Sequence, residues 1–209
     1  MEVNYKYTQQ DVANQQKILM ERADFYKGFG LDITESHRNI IRLIKNRPHN
    51  ILEIGTGKGN LTTLLTEVCE NIVTVELDKE TQFIAALNVA GVNGSDKVRF
   101  VISDSLDLDF PDETFDLTIS CLTYHHFDDP IHTVKEMLRV TKSQMIISDF
   151  NEHSFGIIDK IHLSEGRKHP RKNGKLETLK PFFDKQGLQM TKFSDECQNV
   201  YIVKKGGKL

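Results

Sequence analysis

The sequence predicts an α/β fold in which a mostly parallel sheet is covered by helices on both faces. Three observations predict it. Short β-branched runs alternate with amphipathic stretches at βαβ spacing between Asn50 and Phe150. A turn carrying three glycines at alternate positions (Gly55, Gly57 and Gly59) joins the first apolar run to the first helix-like pattern after it. Two further strand-like runs close the chain, separated only by Ser194 to Gln198, which makes them an antiparallel hairpin.

Taken in order, Asp32-Ile33-Thr34-Glu35 has capping-box spacing ahead of Ile40, Ile41, Leu43 and Ile44, so a helix covers 33–46 and Pro48 ends it. Residues 50–55 form the first strand, and Leu61, Leu64, Leu65 and Val68 mark one face of the next helix. The run 72–77 is a β-branched strand, 79–90 a helix, Asn93-Gly94 a turn and 98–103 a third strand. Residues 115–121 read as a fourth strand, 131–140 as a helix and 144–150 as a fifth strand. The texture then changes: 151–174 holds Gly156, Gly166, Pro170, Gly174, three histidines and the basic run Arg167-Lys168-His169-Pro170-Arg171-Lys172. Leu176, Leu179, Phe182 and Phe183 suggest a helix ending at Gly187, and the hairpin strands follow at 188–193 and 199–204.

Length and composition narrow the classes. A chain of 209 residues fits one domain, with 1–32 as an N-terminal cap and 151–174 as an insertion on the substrate side. A net charge of −3 gives no general pull toward nucleic acid or a membrane surface. The first residues, Met1 to Lys6, show no basic-then-apolar signal pattern, and no segment reaches the ~20 apolar residues of a membrane helix. Cys69, Cys121 and Cys197 are odd in number and far apart, so neither disulfides nor a zinc site are expected, and the expected location is cytoplasmic.

In an open α/β sheet ligands bind beyond the carboxyl ends of the strands, where the glycine turn lies. A dinucleotide fingerprint needs its third glycine where Asn60 stands, and a phosphate-binding loop needs Gly-Lys-Ser/Thr where Gly57-Lys58-Gly59 stands. Glu53, just inside the turn, suits a cation better than a pyrophosphate. Glu76, ending the second strand, is placed to accept from ribose hydroxyls, and Asp104, ending the third, from an adenine amino group.

These residues resemble the class I S-adenosylmethionine-dependent methyltransferases. Glu53 to Gly59 matches that family's Asp/Glu-x-Gly-x-Gly-x-Gly motif, and Glu76 its ribose-binding acid. Ser103-Asp104-Ser105 matches its adenine-binding segment, and 110–116 resembles the lead-in to its fourth strand. The resemblance covers roughly 34–150. It implies a Rossmann-like three-layer sandwich with seven strands in the order 3-2-1-4-5-7-6, strand 7 antiparallel, and S-adenosyl-L-methionine as cofactor. The cofactor-binding residues it implies are Glu53, Gly55, Thr56, Gly57, Gly59, Glu76, Leu77, Asp104, Ser105 and Leu122.

Each has a plainer alternative. Glu76 could be a solvated strand-end charge, Asp104 a turn cap and Leu77 a core leucine rather than a platform for adenine. Glu53, so close to a buried strand, needs a partner. Lys58 reads as an exposed loop lysine and Cys121 as a buried structural thiol. After the fourth strand comes Leu122-Thr123-Tyr124-His125-His126-Phe127-Asp128-Asp129-Pro130. It lacks the Asn/Asp-Pro-Pro-Tyr/Phe motif of amino-directed nucleic-acid methyltransferases and resembles the His-His loop of small-molecule enzymes of the ubiquinone/menaquinone type. Either His125 or His126 could act as general base, or one could be packed against backbone while the other lines the pocket. No metal is expected there.

The resulting expectation is a methyltransferase acting on a small-molecule acceptor. An RNA (adenine) methyltransferase is the alternative, since 53–65 and 75–78 also resemble ribosomal RNA adenine dimethyltransferases and 167–175 is basic. A non-catalytic S-adenosylmethionine-binding regulator is another. Tyr5, Tyr7, Phe25, Tyr26 and Phe29 could close over an apolar ligand or pack against the sheet.

Overall fold

The computed structural model describes residues 1–168 and 170–205. In chain order the elements are β1 Glu2–Val3, α1 Gln9–Gly28, α2 Ile33–Leu43, β2 Asn50–Ile54, α3 Asn60–Leu65, β3 Asn71–Glu76, α4 Lys79–Gly91 and β4 Val98–Ile102. Then come β5 Phe115–Cys121, α5 Pro130–Val140, β6 Thr141–Phe150, α6 Glu152–Ser164, α7 Lys180–Lys185, β7 Gln189–Ser194 and β8 Gln198–Lys204. All strands join one sheet in the order β1-β4-β3-β2-β5-β6-β8-β7. The expected seven-strand order is present in it. Strands β4, β3, β2, β5 and β6 are parallel, and β8 runs antiparallel to both β6 and β7.

The eighth strand corrects the expectation of seven. Glu2 and Val3 pair antiparallel with Val101 and Phe100, and two residues are too few to show any period in a sequence. The central strands are buried on both faces because successive side chains alternate sides. On one face Leu52, Ile54 and Val75 meet Val134 and Met137 of α5 and Phe183 of α7. On the other Ile51 and Ile72 meet Ile40 of α2, Leu61 and Leu65 of α3, and Ala85 and Val89 of α4.

Helix starts follow the caps that the sequence carries. The side chains of Asp32, Asp78, Asp129 and Asn151 each accept from the backbone N–H three residues on, satisfying donors that the first helical turn leaves free. Helix α2 ends at Leu43 rather than 46, because Ile44 is already extended and Asn46 and Arg47 take positive φ (62° and 24°) ahead of Pro48. The stretch 151–174, expected as an irregular insertion, begins with the α6 helix; Ile158 and Ile161 pack it against Leu31 and Cys197. His169, a member of the basic run, lies outside the described residues.

The N-terminal aromatics divide between the two expected roles. Tyr5 packs against Phe83 and Phe100 and donates from its hydroxyl to Gln82 Oε1 at 3.0 Å, and Tyr7 pairs with Ser95, so both serve the sheet edge. Phe25 and Phe29 stay exposed, and Tyr26 turns toward the carboxyl ends of the strands. Gln82 itself is fully buried; its amide donates to Val101 O (3.1 Å), Thr74 O (3.3 Å) and Thr56 Oγ1 (3.3 Å). Gln82→Leu removes the donor that these three acceptors share. It is expected to lower unfolding stability in urea by about 2–4 kcal/mol, and a change below 0.5 kcal/mol would show that the amide is not needed.

Candidate active site

Where β2 ends, the backbone turns through Gly55, Gly57 and Gly59 at φ of 79°, 50° and 76°. The three glycines are needed for different reasons. A Cβ on Gly55 would sit 2.5 Å from Thr123 Cγ2, and one on Gly59 would sit 2.8 Å from Ala85 Cβ, so these two allow protein to pack on protein. A Cβ on Gly57 would meet nothing within 4 Å. Gly57 is the position where the bare backbone borders open space.

Glu76 fixes that turn to the end of β3. Its Oε2 accepts from Gly57 N at 2.9 Å, and its Oε1 accepts from Leu77 N (2.9 Å) and Asp78 N (3.2 Å). It is therefore an ordered carboxylate and not a loosely solvated strand-end charge. Leu77 is 68% exposed, which removes the core-leucine alternative. Asp104 is exposed and its Oδ1 accepts from Leu106 N at 3.0 Å, so it caps a turn with one oxygen. Lys58 is exposed, as expected of a loop lysine.

Glu53 lies beneath the turn, 2% exposed, and its partners are two hydroxyls. Thr62 Oγ1 from α3 and Thr74 Oγ1 from β3 both donate to Glu53 Oε2 at 2.6 Å. Thr56 contacts Thr74 at 2.7 Å, and Gln82 reaches Thr56, giving a run of donors from Gln82 through Thr56 and Thr74 to the carboxylate. Burial nevertheless dominates and pushes the Glu53 carboxyl up to about 7, against the lowering effect of Thr62 and Thr74.

The segment after β5 opens with Leu122 in left-handed backbone (φ 55°), a conformation costing about 1–3 kcal/mol for a residue with a Cβ. Its N–H donates to Ser148 O at 3.0 Å, and the chain then makes a 3-10 turn over Tyr124–His126. His125 is 1% exposed, and its Nδ1 lies 2.6 Å from Asp149 Oδ1 at the end of β6. His126 stands at the rim, ring centroid 4.0 Å from that of His125. Partial burial, with His125 and Lys172 nearby, holds its imidazole down at about 4. The plainer alternative for the pair is thus modified: one histidine is packed, but its partner is a carboxylate. Cys121, expected as a buried structural thiol, is half-buried at the margin of the cleft; it accepts from Ser148 Oγ at 3.1 Å, and burial drives its pKa up.

Two cavities meet at this point. The larger, about 310 Å³, is bordered by Glu53, Gly57, Leu122 and His125, with Tyr26 of α1 and His162 of α6 opposite. The smaller, about 180 Å³, is bordered by Glu76, Leu77, Asp104 and Ser105. Gly55, Thr123 and His126 border both. The residues expected at the site border these two cavities, except Gly59, which packs against Ala85 instead. Sequence reading missed His37, Asp149 and His162; Tyr26 was expected only as one of five N-terminal aromatics and Thr123 only as part of the segment after the fourth strand. His37 carried a signal, since it falls on the apolar face with Ile33, Ile40 and Ile44; it is buried, and desolvation holds it down at about 4.

Residues 52–147 match the family model described as "Methyltransferase domain". Over this segment, somewhat less than half of the chain, the protein is similar to the methyltransferase-domain family. The chain is 40% identical over 88 residues to a mitochondrial ribosomal RNA small subunit methyltransferase of Arabidopsis thaliana, covering 42% of this chain and 23% of that protein. It is 25% identical over 139 residues to a demethylmenaquinone methyltransferase of Thermus thermophilus, covering 64% of this chain and 63% of that protein. The chain thus spans less than two thirds of the length of either relative. A crystal structure from Methanococcus maripaludis shares the fold, with a TM-score of 0.67, 21% identity and 99% of both chains covered.

The raised Glu53 pKa sets a pH dependence for the chain. An unfolded glutamate ionises near 4.5, while the folded one holds its proton to about 7, so between these values the folded state binds more protons and stability falls as pH rises. His37 works in the opposite sense, losing stability as pH falls from 6.5 toward 4, so a difference against Glu53→Gln isolates the carboxyl. The variant is expected to gain stability relative to the parent by roughly 2–3 kcal/mol between pH 4.5 and 7.5. Parallel denaturation curves across that range would show that burial does not perturb Glu53.

Proposed function

We propose that the protein transfers the methyl group of S-adenosyl-L-methionine to a small-molecule acceptor by in-line displacement. The observation that carries this reading is the open space over Gly57, set between the Glu53 and Glu76 carboxylates. A dinucleotide or triphosphate would place negative charge against both acids, whereas an adenosyl sulfonium presents ribose hydroxyls to Glu76 and a cation toward Glu53. Asp104 and Ser105 lie where the adenine edge would sit, with Leu77 exposed to cover its face. Gly55, Thr56 and Leu122 shape the remaining walls, and Gly59 serves the site only by letting the turn pack on Ala85.

The methyl donor is already activated, so the protein's contribution is alignment and exclusion of water, worth several kcal/mol by order of magnitude. Acceptor contacts fall to the larger cavity. Its far wall is built from Tyr26 in the N-terminal cap and Ile158 and His162 in the 151–174 insertion. A wall of that kind, closing a space of about 310 Å³, suits a small partly apolar molecule. Three free thiols fit a reducing, cytoplasmic setting.

The RNA reading draws on the ribosomal RNA methyltransferase among the relatives and on the basic run. In the structure, however, Arg167, Arg171, Lys172 and Lys175 pair with Glu165, Asp159, Asp128 and Glu152. Cations committed to carboxylates have less to offer phosphates, which favours the small-molecule reading.

Two variants test the cofactor site by calorimetry. Gly57→Asn keeps a residue that tolerates positive φ while filling the open space; it is expected to weaken S-adenosyl-L-methionine binding at least about tenfold with unchanged circular dichroism. Glu76→Ala is expected to cost roughly 1–3 kcal/mol of binding. Unchanged affinity in both would remove the cleft as the cofactor site.

A further inference from the structure

A second space lies behind the wall of the cleft. Its volume is about 380 Å³, against about 310 Å³ for the larger cleft cavity. Among the described residues only Phe150 borders both. The partition is aromatic: Phe155 stands 5.6 Å from Phe150 and 5.3 Å from His125, ring centre to ring centre. Asp149 at the end of β6 and Asn199, its register partner on β8, supply the sheet side, while Arg171 and residues 173–177 supply the loop side. Gly174 has no positive φ, and a Cβ on it would meet nothing within 4 Å, so the loop leaves room there.

The charges of this lining are matched at the rim and unmatched inside. Lys175 pairs with Glu152 at 2.8 Å and Lys192 with Glu177 at 2.8 Å. Arg171 pairs with Asp159 and lays its guanidinium 4.6 Å over the Phe155 ring. Asp149 is 2% exposed; its Oδ1 accepts from Phe150 N at 2.9 Å and lies 2.6 Å from His125 Nδ1. Its Oδ2 is buried with no hydrogen-bond partner, an arrangement that costs stability until a donor arrives. Asp149 borders this second cavity and not the cleft. With Asp149, Glu152 and Glu177 set against Arg171 and Lys175, the lining carries one negative charge in excess.

We propose that this cavity is a second small-molecule site, separate from the methyl-transfer cleft, and that it takes a planar organic cation with N–H donors, an amidinium or a guanidinium. Such a group brings Asp149 Oδ2 the donor it lacks and offsets the excess negative charge. Its flat face suits the Phe155 ring, on which the protein already rests a guanidinium of its own. Arg171 is thus the ligand's competitor for that ring. Its side chain is 39% and that of its partner Asp159 41% exposed, so the pair holds it weakly and it can yield its place. A carboxylate or phosphate would set like charge against Asp149, and a neutral apolar molecule would leave Oδ2 as it stands. A volume of about 380 Å³ is that of a site for one small molecule.

The test is a titration of the whole chain with benzamidine, using benzamide as the neutral isostere. In amide NMR spectra benzamidine is expected to shift Asn173, Gly174 and Asn199 in a saturable way, with benzamide binding at least about tenfold more weakly. Gly174→Phe, which fills the space without straining the backbone, should weaken benzamidine at least about tenfold, and Asp149→Asn by a similar factor. Arg171→Ala should tighten it about threefold or more, because the competing guanidinium is gone. Saturating S-adenosyl-L-homocysteine should leave the benzamidine shifts in place. Absence of saturable binding, equal affinity for benzamide, indifference to Gly174→Phe, or weaker binding in Arg171→Ala would overturn the proposal. So would displacement by S-adenosyl-L-homocysteine, which would put the probe in the cleft. The two loop variants decide the matter even where Asp149→Asn does not fold. A protein that binds benzamidine in this way but not S-adenosyl-L-homocysteine would refute the methyl-transfer reading and uphold this one.

Discussion

A buried relay of polar groups under the glycine turn is the constraint on which the rest of the molecule depends. Gln82 of α4, Thr56 of the turn, Thr74 of β3 and Thr62 of α3 all direct hydrogen bonds that end, directly or in sequence, on Glu53 of β2. Helices on one face of the sheet are thereby registered against two strands by directional contacts, where apolar packing alone would leave freedom to slide. The same relay sets the depth of Glu53 and the height of Gly57 above it. A carboxylate with a raised pKa at the cleft floor is the electrostatic cost of that arrangement, and a cationic ligand over the turn is what would offset it.

Above this floor the cleft is divided by residues that touch both of its parts. Thr123 packs into the space left by the missing side chain of Gly55, and His126 stands beside it. The loop at 170–175 ties this wall down from outside. Lys172 N donates to His125 O at 2.8 Å, and the Asn173 amide donates to the carbonyls of Tyr124 and Phe127. The basic run therefore acts in the structure as a fastening for the histidine turn. Its ion pairs are local, with partners on neighbouring loops and on α6, and exposed pairs of this kind contribute little individually.

What could be read from the sequence was what repeats or caps. Strands β2 to β6 announced themselves by apolar runs, α2 by its capping acid and apolar stripe, and α4 and α5 by their place between strands. Glu53, Glu76 and Asp104 were legible because each stands at the carboxyl end of a parallel strand, where that topology gathers ligands. Helix α1 was not legible, since Val12 alone among its residues is buried and no stripe exists to be seen. Helix α6 was obscured by Gly156 and the glycine-proline texture beyond it, although Asn151 with Ser154 supplied a cap. Asp149 was missed for a different reason. Its partner lies 24 residues away, and nothing in a strand-end Ser-Asp-Phe declares a histidine across the sheet.

The first thirty residues carry a consequence of their own. Glu2 and Val3 extend the sheet at β4, and α1 then runs for 20 residues, about 30 Å at helical rise, along α4. At its far end Arg22 grips Glu165 beyond α6 and stacks on Tyr26, whose ring faces the cleft. A short β-strand, a five-residue link and one long helix thus lead from the outer margin of the sheet to the ceiling over the ligand space. The helix that supplies the cleft's ceiling is thus seated along α4, with its lead-in strand paired at the opposite margin of the sheet.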